Sequence, residues 1–106
     1  MTTIYLVYIT TSDKVEARQI GMALVKSKLV ACVNIIDHMN AIYRWEGKIQ
    51  EDQEAILIAK TTEKNILALK KKVKAMHSYD CPCMVCLPVR DGYEPYLAWI
   101  REQVIL

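Results

Sequence analysis

Hydrophobic positions change their spacing along the chain, and each change marks a predicted element. Residues 3–10, TIYLVYIT, are β-branched and aromatic on both alternating faces, which predicts a strand covered on both sides. Asp13 followed by Glu16 is the pattern of a helix N-cap, and apolar residues then recur at helical spacing. A first helix is therefore predicted from Asp13 to about Lys28.

The segment from Leu29 to Thr61 has no helical periodicity and contains one strong turn signal, Glu46-Gly47. It predicts a long β-hairpin, because each arm is well above the usual strand length of about five or six residues. Residues 37–40, DHMN, are predicted to bend the first arm through a β-bulge. The arms are too long for the rest of the domain to cover, so we expect sheet edges to pair with further copies of the chain.

Two more helices and one strand are predicted in the second half. Thr62 can cap a helix that extends to Met76, residues 83–89 alternate as a fourth strand, and Pro95 suits the first turn of a last helix. The order β-α-β-β-α-β-α predicts one α+β domain over residues 1–106, a ferredoxin-like split βαβ sandwich with an added C-terminal helix. Four lysines of the second helix are interpreted as a solvated face rather than an anion-binding surface: Lys70, Lys71, Lys72 and Lys74.

Composition narrows the class of protein. The chain is 53% hydrophobic with three glycines and three prolines, and its formal net charge of +2 is too small to indicate a nucleic-acid or membrane partner. No signal-peptide pattern is found, and no apolar segment approaches the ~18 residues needed to span a bilayer. We therefore expect a cytoplasmic protein whose four cysteines are free thiols.

The densest candidate chemistry lies in residues 77–86, HSYDCPCMVC. Cys81 and Cys83 flank Pro82 where a loop becomes a strand, so both thiols can point to the same side. Together with His77 they form a candidate site for a soft ion, since thiolate and imidazole suit copper(I) or zinc. The alternative for His77 is a helix C-cap, and the two roles can coexist.

The other thiol interpretations are weaker. Side chains alternate on a strand, so Cys83 and Cys86 face opposite sides and cannot chelate one ion there. Cys86 and Cys32 are predicted to be core residues, because cysteine behaves as a small buried hydrophobe. A nucleophilic Cys83 activated by His77 would need an oxyanion-stabilising loop, and no glycine lies nearby. We therefore do not expect an enzyme.

Five motifs carry a resemblance to a known family. They are ACVNI at residues 31–35, YRWEGKI at 43–49, EAILIAKTT at 54–62, HSYDCP at 77–82 and YLAWI at 96–100. In this order and spacing they resemble the CutA family, the divalent-cation-tolerance proteins, over nearly the whole chain. One departure lies directly after the fourth motif, since the family often carries a glutamate where this chain has Cys83.

The resemblance implies a ferredoxin-like protomer and a tight homotrimer related in architecture to the PII-type signalling proteins. It also implies association with copper and other divalent cations, without an established enzymatic activity. Around a cleft between subunits it places His77 and six further residues: Tyr43, Trp45, Glu54, Lys60, Tyr79 and Trp99. For Lys60 we favour a structural ion pair with a glutamate over a ligand-binding role.

The expected function follows from these points. We expect a cytoplasmic homotrimer that binds a divalent or soft metal ion, copper or zinc, in metal tolerance or signalling, with no obligatory cofactor. The alternative is a PII-like sensor that binds a small anionic metabolite in the intersubunit cleft. Basic side chains near the cleft would favour the sensor.

Overall fold

The computed structural model describes residues 1–105 and contains the elements in the predicted order. The four strands form one antiparallel sheet in which the first strand lies between the third and the fourth and the second strand lies outside the third, which is the ferredoxin-like arrangement. The α+β prediction is therefore confirmed. No helix of the described chain is long and apolar enough to cross a membrane. The elements are β1 (Ile4–Thr11), α1 (Lys14–Lys26), β2 (Cys32–Trp45), β3 (Lys48–Thr62), α2 (Ile66–Met76), β4 (Met84–Pro88) and α3 (Glu94–Gln103).

One face of the sheet is covered by α1 and α2. Buried side chains of β1 and β3 pack there against alternating apolar positions of the two helices. Gly21 lets α1 lie close to the sheet, since a Cβ atom at this position would come within 2.9 Å of Val33 Cγ2. The fully buried residues of this core include Val7, Ile9, Ala17, Ile20, Leu24, Leu57, Leu69 and Val73.

The opposite face, here called the open face, is covered only at one end. There α3 packs Leu97 and Ile100 against Ile4. Farther along the same face, Leu6 and Tyr8 are only half-buried. The prediction that β1 is covered on both sides thus holds at its first residues, whereas Leu6 and Tyr8 are covered only in part. Three apolar side chains on this face are about half exposed: Ile36, Val85 and Leu87.

The long hairpin and its bulge are both confirmed. The chain turns at Glu46-Gly47, and the pairing of β2 with β3 shifts between Ile36 and Met39. His38 takes a left-handed conformation there, with φ of 57°. The hairpin beyond the bulge projects from the body, and the radius of gyration is 14.2 Å, above the ~13 Å expected for a compact chain of this length.

The bulge decides which side chains share a face with the centre of the sheet. Met39 pairs with Glu54, so Met39, Tyr43 and Trp45 lie on the open face. If the same residues paired without a bulge, regular alternation from Ile36 would place Ile42 and Arg44 on that face instead. The bulge therefore brings two aromatic side chains to the open face.

Three element boundaries differ from the prediction by two residues or more. The second helix begins at Ile66, because a 3₁₀ turn over Glu63–Asn65 precedes it and the Thr62 side chain makes no capping bond. The first helix ends at Lys26, because Lys28 adopts φ of 60° and the N–H groups of Leu29 and Val30 both return to the carbonyl of Leu24. Leu29 and Val30 are buried in this connection, and β2 begins only at Cys32. Their apolar character reflects burial in a loop that the sequence pattern could not distinguish from a strand.

Candidate functional site

A cavity of about 740 Å³ opens on the open face, at the base of the projecting hairpin. Its walls come from β1, from β2 beyond the bulge, from β3, and from the loop between α2 and β4. Four of the six predicted cleft residues line it, namely Tyr43, Trp45, Glu54 and Tyr79. The remaining lining residues are Tyr8, Thr10, Met39, Asn40, Ala41, Ile42, Asp80, Cys81 and Cys83.

Two tyrosine–carboxylate pairs fix the acidic groups around this cavity. The Tyr79 hydroxyl donates to Glu54 Oε2 at 2.6 Å, and the Tyr43 hydroxyl donates to the carboxylate of Asp52. Burial, followed by the bond to Glu54, raises the pKa of Tyr79 well above its usual range. The bond to Asp52 likewise raises the pKa of Tyr43. Both phenols are therefore protonated donors, which leaves the carboxylates as the negative groups of the site.

His77 lies behind the cavity rather than in its wall. Its side chain is fully buried, and its backbone N–H bonds to the Val73 carbonyl as the C-cap of α2, which confirms the C-cap prediction. Ring nitrogen Nε2 donates to the carbonyl of Thr10 at 2.7 Å, while Nδ1 accepts the N–H of Tyr79 at 3.0 Å. Both ring nitrogens thus have protein partners, and this pattern requires the neutral imidazole with its proton on Nε2.

Glu16 joins α1 to the loop that follows α2. One carboxylate oxygen accepts the N–H and hydroxyl of Ser12 at 2.9 and 3.0 Å, and the other accepts the N–H of Ser78 at 2.7 Å. The second oxygen also lies 3.9 Å from His77 Nδ1. Burial alone would raise the pKa of Glu16, but these hydrogen bonds favour the charged form and lower it to about 2.

This carboxylate makes the stability of the protein depend on pH. The pKa of Glu16 is lower when folded, about 2, than its ordinary value of 4.5, so its stabilisation is complete above pH 4.5 and lost as the pH falls towards 2. Glu16→Gln should cost about 1.5–3 kcal/mol at pH 7, because bonds to a charged acceptor are replaced. Urea unfolding at several pH values should show this difference shrinking below pH 4.5. Glu102→Gln, at an exposed glutamate, is the matched control, and an equal loss there would contradict the role of Glu16.

The structure separates the four thiols, which are all free. Cys81 is exposed and Cys83 is half-buried, and both line the cavity. Cys86 packs against the helix-covered core, as predicted from strand alternation. His77 is not brought to the cavity beside the two thiols, and within residues 1–105 no three His, Cys, Asp or Glu side chains are arranged to hold one ion.

Lys60 and Trp99, the other two predicted cleft residues, lie at the end of the open face covered by α3. The Lys60 ammonium donates to the Tyr96 hydroxyl at 3.0 Å and lies 5.3 Å from the centre of its ring. Tyr96 in turn stacks on Trp99, with ring centres 5.6 Å apart. Within the described protomer the predicted ion pair of Lys60 with a glutamate is not formed, because Glu54 accepts the Tyr79 hydroxyl and Lys60 donates to the Tyr96 hydroxyl.

This arrangement also corrects the prediction that Cys32 is a core residue. It pairs with Lys60 across the sheet, and its sulfur lies 3.5 Å from the Tyr96 hydroxyl. Cys32 therefore faces α3 at a half-buried position instead of lying in the core between sheet and helices. The apolar run around it gave no sign of which face each residue takes, because neighbours on both faces are hydrophobic.

Sequence reasoning missed several groups that build the site. Glu16 was recognised for its place in a helix cap, but its bond to Ser78 joins residues far apart in the chain. Thr10 contributes a backbone carbonyl, which leaves no trace in residue type. Asp80 carried a signal, since it lies inside the HSYDCP motif, and it lines the cavity beside the two thiols.

Comparisons with known proteins agree on one family. The model of the CutA1 divalent ion tolerance protein matches residues 5–103. The divalent-cation tolerance protein CutA of Thermus thermophilus is 46% identical over 97 residues, which cover 92% of this chain and 94% of the relative. Human protein CutA is 38% identical over 95 residues, and this chain spans 53% of its length. The crystal structure of CutA1 from Oryza sativa superposes with a TM-score of 0.95 at 38% identity, covering 98% of this chain and 95% of that chain.

Proposed function

This chain belongs to the CutA1 divalent ion tolerance family, and from that membership we propose that it is a homotrimer that binds a divalent or soft metal ion in metal tolerance. The proposed ions are copper and zinc, bound reversibly at the cavity of the open face. The proposed role is binding without catalytic turnover. We also propose the cytoplasm as its compartment, because free thiols persist where the glutathione pool is reducing.

The observation that carries this proposal is the chemistry of the cavity lining. Two thiols and two carboxylates, those of Cys81, Cys83, Glu54 and Asp80, face the same space. The lining drawn from the described residues contains no lysine or arginine. Such a lining attracts cations and repels anions, so it supports a metal ion over the small anionic metabolite of the alternative.

The side chains at the cavity supply only some of the ligands that a soft metal ion needs. Cys83 and Cys81 would supply thiolate ligands, whereas no acidic side chain of the described residues is placed to complete a coordination shell with them. His77 would have to release the N–H of Tyr79 before Nδ1 could serve as a ligand. A bound ion would supply positive charge to a site in which the charged side chains of the lining are all acidic. His77, Cys81 and Cys83 therefore remain the predicted ligand set, and the thiols need the smaller rearrangement.

Exposed apolar surface supports the homotrimer. Ile36, Val85 and Leu87 form an apolar patch on the open face, and the projecting hairpin carries Ile42 and Ile49, each at least 65% exposed. Both edge strands of the sheet, β2 and β4, are free for pairing. A soluble chain seldom leaves so much apolar surface uncovered, and further copies of this chain would cover it.

Metal titration of the reduced protein tests the proposal. Wild type should bind copper(I) or zinc saturably, and Cys83→Ser and Cys81→Ser should each weaken binding by at least about tenfold, or ~1.4 kcal/mol, because a hydroxyl is a poor ligand for soft ions. Cys86→Ser is the matched control, since Cys86 packs on the other face of β4 and should leave the affinity unchanged. Equal affinity in wild type and both cavity variants would overturn the assignment of the ligands.

A further inference from the structure

Cys81 and Cys83 form a pair that no other cysteines of the chain can form. They flank Pro82, all peptide bonds of the described chain are trans, and both side chains reach the same cavity. Cys81 lies in a bend and Cys83 directly precedes β4, and Cα atoms two residues apart can be no more than ~7 Å from each other. Each sulfur can lean towards the other, so one atom placed between them can bond to both.

The two remaining thiols cannot join this pair. Cys86 packs against the core beneath the helices, and Cys32 lies beside Tyr96 at the end of the sheet that α3 covers. Within the described residues, no third histidine, cysteine or acidic side chain completes a coordination shell around Cys81 and Cys83. The pair therefore suits a ligand that needs only two bonds to sulfur atoms of the protein.

We propose that Cys81 and Cys83 are a dithiol site for trivalent organic arsenicals. Trivalent arsenic forms three bonds in a pyramid, and in an aryl arsenical one of them is already to carbon, so two thiols complete it. The inference rests on the proposed function, in that it uses the same cavity thiols as soft-ion donors. The further inference adds a class of ligand in which arsenic already carries its third substituent, a carbon group.

The rest of the cavity fits such a ligand. An aryl arsenical enters as a neutral dihydroxy compound, which the carboxylates of Glu54 and Asp80 do not repel. Its aryl ring would lie among aromatic side chains, since Tyr8 and Tyr79 line the same space. With about 740 Å³, the cavity has room for a phenyl group.

The bonding step balances without an oxidant or reductant. Each thiol sulfur forms one bond to arsenic, each arsenic–hydroxyl bond breaks, and each hydroxide leaves with a thiol proton as water. Two water molecules are released, arsenic stays trivalent, and both sulfurs stay at the thiol oxidation level. The adduct is a ring closed by arsenic through Cys81, Pro82 and Cys83, and it opens again when a small dithiol competes.

The test uses phenylarsine oxide and the full chain, reduced with a phosphine that carries no thiol. Native mass spectrometry should show one phenylarsenic unit per chain, with the loss of two hydrogens. Cys81→Ser and Cys83→Ser should each weaken binding by at least about a hundredfold, because the second bond closes intramolecularly in the wild type. Cys32→Ser and Cys86→Ser should bind as the wild type does, and ethanedithiol should remove the adduct from all of them.

The outcomes separate this inference from the proposed metal function. If either cavity variant binds phenylarsine oxide as tightly as wild type, or if Cys32 or Cys86 is required, the dithiol site is overturned. Metal binding is measured independently on the same four variants. Copper or zinc binding without arsenical binding would refute only the dithiol, whereas arsenical binding without metal binding would refute only the metal function.

Discussion

Light scattering of the purified protein should give three times the 12.2 kDa mass of one chain, and Leu87→Glu should reduce that mass to a single chain. Leu87 is half exposed in the isolated protomer and lies on the apolar patch proposed to be covered by other copies. Each assembled trimer would have to bury three carboxylates. Burying an unpaired charge costs several kcal/mol, so the loss over three sites would exceed what an interface can absorb.

Leu67→Glu is the matched control for this experiment. Leu67 lies on α2, on the other side of the sheet, and is 63% exposed. The same substitution there should leave the mass at three chains. A wild-type protein that is folded and monomeric at micromolar concentration would contradict the trimer, and trimers in both variants would show that the apolar patch is not the interface.

His77→Ala should destabilise the protein by about 3–5 kcal/mol, whether or not metal is present. The substitution removes a fully buried ring that packs 4.7 Å from the ring of Tyr79. It also leaves the Thr10 carbonyl and the Tyr79 N–H without their partner. The loss should be measured by urea unfolding in the presence of a chelator, at equal protein concentrations.

Two other variants show whether the loss of stability is specific to the removal of the His77 side chain. His77→Gln retains a donor that can reach the Thr10 carbonyl, so it should lose less than His77→Ala. His38→Asn, at the other histidine, removes an imidazole that is 78% exposed and keeps a residue type that tolerates the left-handed backbone there, so it should change stability by no more than about 0.5 kcal/mol. Unchanged stability of His77→Ala together with lost metal affinity would reverse the assignment, making His77 a ligand and not a structural residue.

Local rules predicted the elements of the fold well. The cap at Asp13, the turn at Glu46-Gly47 and the bulge at 37–40 each depend on a few neighbouring residues, and all three are present. The division of Cys83 and Cys86 between two faces of the sheet also follows from strand alternation alone. Interactions between near neighbours are thus readable from the sequence.

The site could be predicted only in part, because its contacts join distant segments. The family resemblance placed Lys60 and Glu54 around one cleft, but a single protomer separates them and gives each a tyrosine partner. The choice of partner depends on where α3 and the α2–β4 loop pack, and no local pattern encodes that. The prediction that Cys32 is a core residue was wrong for the same reason. Apolar residues lie on both faces of β2, so the sequence does not indicate which face Cys32 occupies.

The bulge at Asp37 and His38 gives β2 one residue more than β3 between two of their pairs. Loss of a single codon there would restore a regular ladder with Met39 still opposite Glu54, so the later side chains of β2 would keep their faces. Loss of a codon beyond Met39 would instead turn the following side chains over and present Ile42 to the cavity. During descent, this strand can therefore change its length at the bulge, but not beyond it without rebuilding the wall of the cavity.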